Sequence, residues 1–302
     1  MMDLQDSRAV FARYEALRGR LPQMPVRTAA PVRVRDLSAV FDRYDAFILD
    51  GFGVLNVGGS AIEGAPERVA AMRAAGKRVI VLTNAATFPA AGSVAKYRGL
   101  GFDFEAGDIV SSRDVAVAGM AGMPALRWGA TAAGAASLEG LDAIALEDDD
   151  AAYEAADAFL YLSGDAWTPA RQARLAAALC SRPRPVVVAN PDLVAPRETA
   201  LSVEPGAWAH ALMDSVPGLD VAFYGKPFGN AFCRVMSVLG DTAPEPSRIA
   251  MVGDTLHTDI LGGAAAGWGT VLITGHGILK GHDPEPFVSA SGIVPDVIAQ
   301  TT

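Results

Sequence analysis

Polar and charged residues stand at the ends of several short apolar runs in this sequence, and their types suit phosphoryl chemistry. Carboxylates are ligands that Mg²⁺ prefers, and a lysine can neutralise the charge of a phosphate group. A threonine hydroxyl and the backbone amides after it can receive phosphate oxygens at a helix start. A carboxylate can also attack phosphorus and form an aspartyl-phosphate. The residues concerned are Asp50, Thr83, Asn84, Lys226 and Asp254, with Asp259 five positions further on.

The elements that must position these residues are predicted to be parallel strands. Apolar runs without alternation are typical of strands buried on both faces, and helical patterns over 66–75 and 230–239 separate some of them. In open α/β sheets, ligands bind outside the carboxyl ends of the strands. We therefore expect the candidate residues to gather at one edge of one sheet. The runs are 46–49, 78–82, 221–224 and 249–253.

The sequence indicates a second α/β unit inserted into the first. Residues 124–218 have strand patterns at 159–162 and 185–189 and an amphipathic helix at 169–180. Before the main sheet, a helix is predicted over 8–20, followed by a proline-containing linker. The predicted domains are an N-terminal extension and linker (1–34), a core (35–123 and 219–302) and the inserted unit (124–218).

Composition excludes several classes of protein. The 302-residue chain has a formal net charge of −9, which argues against a nucleic-acid binder because phosphate neutralisation needs clustered cations. Cys180 and Cys233 cannot form a disulfide framework, and no secretory signal pattern opens the chain. We expect a cytoplasmic protein. Residues 260–279 hold no formal charge but six glycines, so they predict a small-residue helix, a turn and a buried strand rather than a membrane span.

Four motifs in order resemble the haloacid dehalogenase (HAD) superfamily, in particular its class IIA branch of NagD-like and pyridoxal-phosphate-phosphatase-like proteins. Each motif is weak alone, but their order and spacing are specific, and the resemblance covers about residues 44–277. A segment of that branch's cap is also similar to Asn190-Pro191-Asp192. The four motifs are Asp50-Gly51-Phe52-Gly53-Val54-Leu55, Leu82-Thr83-Asn84, Gly225-Lys226-Pro227 and Gly253-Asp254-Thr255-Leu256-His257-Thr258-Asp259-Ile260.

The resemblance implies a fold and a set of roles. The fold is a Rossmann-like parallel-sheet core with an inserted α/β cap of the C2 type. Asp50 is implied to be the nucleophile, Thr83 and Asn84 to bind phosphate, and Lys226 to orient both. The implied Mg²⁺ ligands are Asp50, the backbone carbonyl of Phe52, Asp254 and Asp259. The implied partner is a small phosphorylated metabolite, with neither nucleic acid nor membrane, and cap-mediated dimers among relatives make a homodimer a further expectation.

Phe52 departs from the family pattern. The first motif usually reads Asp-x-Asp-Gly, and its second Asp serves as general acid and base, a role worth roughly 10²–10⁴-fold in rate. An aromatic ring cannot transfer that proton, so weak or atypical phosphatase activity is expected. The alternatives are a halo-acid or phosphonate hydrolase, and a phosphometabolite-binding protein that has lost turnover.

Five polar residues in or near the motifs have two readings each. Asn190 and Asp192 either contact substrate or only shape the turn at Pro191. His257 is expected to be an exposed loop residue rather than an acid. Asp254 and Asp259 are also able to cap the following helix, a role that is compatible with metal binding.

Overall fold

The computed structural model describes residue 4 and residues 6–302 of the chain. Its strands are β1 (Val32–Val34), β2 (Ala46–Leu49), β3 (Asn56–Val57), β4 (Ser60–Ala61), β5 (Arg78–Thr83), β6 (Ile109–Ser111), β7 (Trp128–Thr131), β8 (Ala143–Ala145), β9 (Ala158–Tyr161), β10 (Val186–Val188), β11 (Val194–Pro196), β12 (Leu201–Val203), β13 (Val221–Phe223), β14 (Ile249–Gly253), β15 (Gly269–Ile273) and β16 (Val297–Ala299). Its α-helices are α1 (Ser7–Ala16), α2 (Ala65–Ala74), α3 (Ala90–Gly99), α4 (Ser112–Met120), α5 (Asp150–Ala155), α6 (Pro169–Ser181), α7 (Pro205–Ser215), α8 (Gly229–Leu239), α9 (Leu261–Ala265) and α10 (Glu285–Ser291).

The larger sheet is parallel and has seven strands in the order β1-β16-β15-β14-β2-β5-β6. Its central strand β14 is buried at every residue, as is its neighbour β2, because helices cover both faces of such a sheet. The predicted α/β class with a parallel-sheet core is confirmed. Strands β14, β2 and β5 lie side by side, which sets the spacing of the residues that follow them.

A second parallel sheet has five strands in the order β13-β10-β9-β7-β8. Its core packs β9 and β10 against helices α6 and α7 around side chains such as Tyr161, Leu175 and Leu212. The predicted strands at 159–162 and 185–189 correspond to β9 and β10. This sheet confirms a second α/β unit beside the first.

The placement of 221–224 was predicted wrongly. The sequence assigned this run to the larger sheet, within a core segment starting at 219. The structure pairs β13 with β10, so Val221–Phe223 forms an edge of the five-stranded sheet. All three residues are only half-buried, as an edge position allows. An apolar run indicates a strand, but its partner depends on distant residues that local pattern does not reveal.

The N-terminal segment forms a helix, a 3₁₀ turn and one edge strand of the larger sheet. The predicted helix over 8–20 is α1 followed by a 3₁₀ turn at Arg18–Arg20. Strand β1 lies at the end of the segment that was predicted as a linker, and it pairs with β16 at the edge of the larger sheet. Residues 1–3 and 5 of the predicted extension lie outside the described residues.

Helix α1 connects the two units directly. Arg13 and Arg20 both form ion pairs with Asp214 of α7, at 2.5 and 2.7 Å. The Tyr14 hydroxyl accepts a hydrogen bond from the backbone amide of Leu193, at 3.1 Å. The apolar face of the helix packs on residues that follow β14 and β15. The extension is therefore an integral part of the fold.

His257 lies beneath α1 and not in an exposed loop, which corrects the expectation. It belongs to a π-helical turn, Leu256–Ile260, and is 2% exposed. Its ring stacks on Tyr14 with centroids 4.8 Å apart, and its Nε2 lies 2.5 Å from Oε1 of Glu15. The covering helix comes from far away in sequence, so no local pattern around His257 predicts its burial.

Two short hairpins meet above the larger sheet. One consists of β3 and β4, and the other of β11 and β12. The amide of Gly58 donates to the carbonyl of Pro196 at 3.3 Å, and the amide of Gly59 donates to Glu198 at 2.7 Å. These contacts close one side of the space between the two units.

Residues 260–279 form α9, the turn that follows it and the buried strand β15, as predicted. Among the described residues, no helix is both long enough and apolar enough to cross a membrane.

We predict that Tyr14→Phe lowers the free energy of unfolding by about 1–2 kcal/mol, because it leaves the buried amide of Leu193 without its acceptor. Urea denaturation measures this change. Tyr224→Phe is the control, since the Tyr224 hydroxyl has no hydrogen bond to the described residues. Equal effects of the two substitutions would contradict the assigned role of Tyr14.

Candidate active site

The order of three adjacent strands brings the principal candidates together. Asp50 follows β2, Asp254 follows β14 on one side, and Thr83 ends β5 on the other. All three residues are buried. Because the strands are parallel, their carboxyl ends lie at one edge of the sheet, and the sequence prediction for these residues agrees with their position.

Lys226 is the cation at the centre of the site. Its Nζ lies 2.5 Å from Oδ1 of Asp50 and 2.8 Å from Oδ1 of Asp259. Its side chain is 1% exposed. Lys226 lies in the loop between β13 and α8. The sequence predicted it at this edge of the larger sheet, after a strand of that sheet, but the preceding strand β13 belongs to the five-stranded sheet.

Asp254 and Asp259 are fixed by hydrogen bonds to the loop around them. Asp254 accepts from the Thr255 hydroxyl and from the amide of Ile278, both at 2.9 Å. Asp259 accepts from the amide of Thr255 at 3.0 Å. Each carboxylate therefore keeps a defined orientation toward Asp50.

Glycines allow the backbone to approach these carboxylates closely. Gly53 has a φ of 77°, and a Cβ there would lie 2.6 Å from Cγ of Asp254. A Cβ on Gly253 would lie 2.0 Å from Cγ of Asp259. Only a residue without a side chain fits these positions.

The electrostatics of the site follow from burial and from like charges in contact. Burial raises the pKa of Asp50 to about 6, although the charge of Lys226 opposes the shift and that of Asp259 adds to it. Burial and the charges of Asp259 and Asp50 raise the pKa of Asp254 to about 8. Burial alone would lower the pKa of Lys226, but the carboxylates of Asp259 and Asp50 raise it well above its usual value.

These carboxylates have the properties of a site for a divalent cation. Asp50, Asp254 and Asp259 each offer an oxygen, and the three oxygens lie within 4.8 Å of one another. Lys226 supplies a single positive charge to this group. A hard cation that prefers oxygen ligands fits both the donor set and the remaining negative charge.

Asn84 has a different set of contacts from the predicted one. Its Nδ2 donates to Asp192 at 2.8 Å and to the carbonyl of Lys226 at 2.9 Å. Its Oδ1 accepts from the amide of Lys226 and from the hydroxyl of Ser112, both at 2.8 Å. Both donors and both lone pairs are used, so Asn84 positions Lys226 and does not have a free group for phosphate.

Thr83 lines a cavity above Asp50, but the expected helix start is absent from its vicinity. Its hydroxyl accepts from the amide of Ala85 at 3.1 Å. Helix α3 begins only at Ala90. The amides directly after Thr83 therefore belong to a loop, which separates the hydroxyl from the helix.

Asn190 and Asp192 enter the same cavity from the five-stranded unit. Asn190 accepts from the amide of Asp192 at 3.0 Å and donates to Glu204 at 3.1 Å. Burial raises the pKa of Asp192 well above its usual value, with partial compensation from Lys226. The two residues shape the turn and also line the cavity, and their contact with a substrate stays a prediction.

Two cations around Phe52 were not predicted from the sequence. Lys96 Nζ lies 4.3 Å from the centroid of the Phe52 ring, and Arg197 Cζ lies 5.0 Å from it. All three residues line the cavity. Burial lowers the pKa of Lys96 to about 8. The chain has only four lysines, and this scarcity is the signal that would have singled out Lys96.

Comparison with known proteins identifies the family. A model described as haloacid dehalogenase-like hydrolase matches residues 47–132, and one described as HAD-hydrolase-like matches residues 223–299. Together they span more than half of the chain. The chain belongs to the haloacid dehalogenase-like hydrolases, and within this superfamily it is an enzyme of the phosphatase-like kind.

Three relatives illustrate the similarity. A glycerol-3-phosphate phosphatase from Gallus gallus is 29% identical over 288 residues, which cover 85% of this chain and 89% of the relative. A HAD-superfamily crystal structure from Cytophaga hutchinsonii has a TM-score of 0.78 at 24% identity, covering 89% and 98% of the two chains. A glycerol phosphate phosphatase from Mycobacterium tuberculosis, in complex with magnesium, has a TM-score of 0.66 at 24% identity, covering 86% and 75%. The two structures support the fold.

We predict that Lys226→Met lowers the free energy of unfolding by about 3–5 kcal/mol at pH 8, because it leaves buried carboxylates without their cation. The loss should shrink at pH 5, where Asp50, with a pKa of about 6, is protonated. Chemical denaturation in EDTA at the two pH values measures this. Lys280→Met is the control because Lys280 is exposed. A loss that does not depend on pH would contradict the electrostatic explanation.

Proposed function

We propose that this protein is a Mg²⁺-dependent phosphatase acting on a small phosphorylated metabolite. The observation that carries the proposal is the Asp50 carboxylate, paired with Lys226 and two residues from Phe52, which lines a cavity together with Thr83 and Asp192. The curated relative is named for glycerol 3-phosphate, and a small phosphate ester of that kind fits a cavity of about 270 Å³.

The five-stranded unit acts as the cap in this proposal. Asp192 and Asn190 approach the cavity from it, while Asp50 and Thr83 lie on the side of the larger sheet. A cap in this position excludes water from the reaction and selects the substrate. We place its boundaries near 124 and 223, so that β13 belongs to it. A homodimer and a cytoplasmic location stay predictions from the sequence.

Mg²⁺ would be held by Asp50, Asp254 and the backbone carbonyl of Phe52, with Asp259 beside them. When bound, it supplies positive charge that offsets the phosphate oxygens and holds them for attack. The buried, mutually repelling carboxylates support this assignment, because a divalent cation relieves their repulsion.

The chain's own residues divide the chemistry between them. The Asp50 oxygen forms a bond to phosphorus as the bond to the leaving oxygen breaks, and water then hydrolyses the aspartyl-phosphate and restores Asp50. Lys226 keeps Asp50 ionised and in place through their ion pair. Thr83 offers a hydroxyl to a phosphate oxygen. Positioning and charge stabilisation of this kind supply a large part of catalysis.

Phe52 occupies the position where the family usually has its acid and base. Its ring has no proton to give to the leaving oxygen, so leaving groups that need no protonation are favoured. This observation also keeps a halo-acid or phosphonate hydrolase as the second candidate, since the resemblance links aromatic or small residues at this position to those activities.

We predict that the enzyme releases phosphate from p-nitrophenyl phosphate and glycerol 3-phosphate only with Mg²⁺, and that Asp50→Asn lowers the rate by about 10³-fold or more, because the nucleophile is lost. Asp241→Asn, which alters an exposed carboxylate, is the control. Chloroacetate and phosphonoacetate are assayed in parallel. Chloride release without metal, or cleavage of the phosphonate alone, would replace the phosphatase proposal.

We predict that Phe52→Asp raises the turnover of alkyl phosphates by roughly 10-fold or more, because a carboxylate there can protonate the leaving oxygen. Turnover of p-nitrophenyl phosphate should change much less. The ratio of the two rates, measured in both proteins with Mg²⁺, tests this. An unchanged ratio would mean that another group already supplies the proton.

A further inference from the structure

Residues with different roles line the cavity near Asp50. Thr83 and Asp192 line it, and the charge of Asp192 interacts with that of Asp50, which the proposed function makes the nucleophile. Lys96, Phe52 and Arg197 form another part of the wall. The proposed phosphate site does not use the side chains of Lys96, Phe52 and Arg197, so this group calls for a separate explanation.

The Phe52 ring fixes two cations that come from different parts of the fold. Lys96 belongs to helix α3, and Arg197 follows strand β11. Their charged groups lie 4.3 and 5.0 Å from the ring centroid. A cation over an aromatic face gains about 0.5–2 kcal/mol. The ring therefore holds two positive groups at the cavity wall, at a position where a carboxylate would have neutralised them.

Lys96 and Arg197 differ in whether a carboxylate pairs with their positive charge. Arg197 donates to Glu204 at 3.1 Å and to the hydroxyl of Ser202 at 2.9 Å. Lys96 has no carboxylate within 4.0 Å among the residues that the structure describes. It is half-buried, so water hydrates its ammonium group only in part. Lys96 thus has no direct ion-pair partner among the described residues, although the charge of Asp50 acts on it from further away.

We propose that Lys96 and Arg197 form a subsite for a carboxylate on the organic part of the substrate. This inference rests on the proposed phosphatase function and specifies its substrate as the phosphate monoester of a short hydroxy acid. A carboxylate carries the single negative charge that a direct ion pair with Lys96 requires, and a guanidinium edge suits its planar shape. A second phosphate group would bring about twice that charge.

The test compares three-carbon phosphate esters that differ only in their terminal group. These are 3-phosphooxypropanoate, propyl phosphate, 3-aminopropyl phosphate and propane-1,3-diol bisphosphate. With Mg²⁺ present, kcat/KM for 3-phosphooxypropanoate should exceed that for propyl phosphate by about 10-fold, mainly through KM. The amine should be the poorest substrate because Lys96 repels it.

Substitutions test whether Lys96 causes the preference for 3-phosphooxypropanoate over propyl phosphate. Lys96→Met should reduce the preference to about twofold or less while propyl phosphate is hydrolysed as before. Lys96→Glu should reverse the order in favour of 3-aminopropyl phosphate. Arg98→Met is the matched control, because it removes an exposed positive charge from the same helix without lining the cavity. It should leave the preference unchanged, and circular dichroism checks that all variants are folded.

Three results would overturn the inference. An equal loss on all four esters in Lys96→Met would mean that Lys96 serves the transferred phosphate itself. A wild-type preference for the bisphosphate would assign the subsite to a second phosphate. Efficient hydrolysis without any preference would remove the subsite and leave the phosphatase function intact.

Failure of the proposed function has a different signature. In that case, the wild type releases phosphate from none of the esters and not from p-nitrophenyl phosphate. Calorimetric titration of the wild type with 3-phosphooxypropanoate and propyl phosphate then still tests the subsite, because binding does not require turnover. Equal affinities would overturn it, and tighter binding of the carboxylate that Lys96→Met abolishes would support it.

Discussion

The ion pairs of Lys226 are the interaction on which this site depends. Its ammonium group lies between the carboxylates of Asp50 and Asp259, with Asp254 close by. Burying several like charges together costs free energy unless opposite charge and hydrogen bonds compensate them. The parallel strands, the glycines that crowd the carboxylates and the loop hydrogen bonds together keep this arrangement in place.

The same lysine connects the chemistry to the cap. Asn84 binds the backbone of Lys226 with both ends of its amide and also donates to Asp192. The cation, the end of β5 and the cap turn therefore belong to one hydrogen-bonded group. A single side chain, that of Asn84, thus joins the turn at Asp192 to the backbone of Lys226, whose ammonium group pairs with Asp50.

The sequence predicts residues at strand ends well and long-range pairing poorly. Asp50, Thr83 and Asp254 were found because apolar runs reveal buried strands and parallel strands share an edge. Val221–Phe223 was assigned to the wrong sheet, and the burial of His257 was missed, because both depend on partners that are distant in sequence. The cations beside Phe52 were missed for the same reason, since Arg197 reaches the ring from the other unit.

Helix α1 has a consequence for how the two units move. Through Asp214 and Leu193 it is fastened to the five-stranded unit, and through His257 it rests on the loop that carries Asp254 and Asp259. Opening of the cleft must either break these contacts or carry the helix along with the cap. A version of the chain that began at residue 21 would lack these contacts and keep every strand of the larger sheet. Residues 7–20 therefore tie the five-stranded unit to the loop that carries Asp254 and Asp259, although they are far from both in sequence.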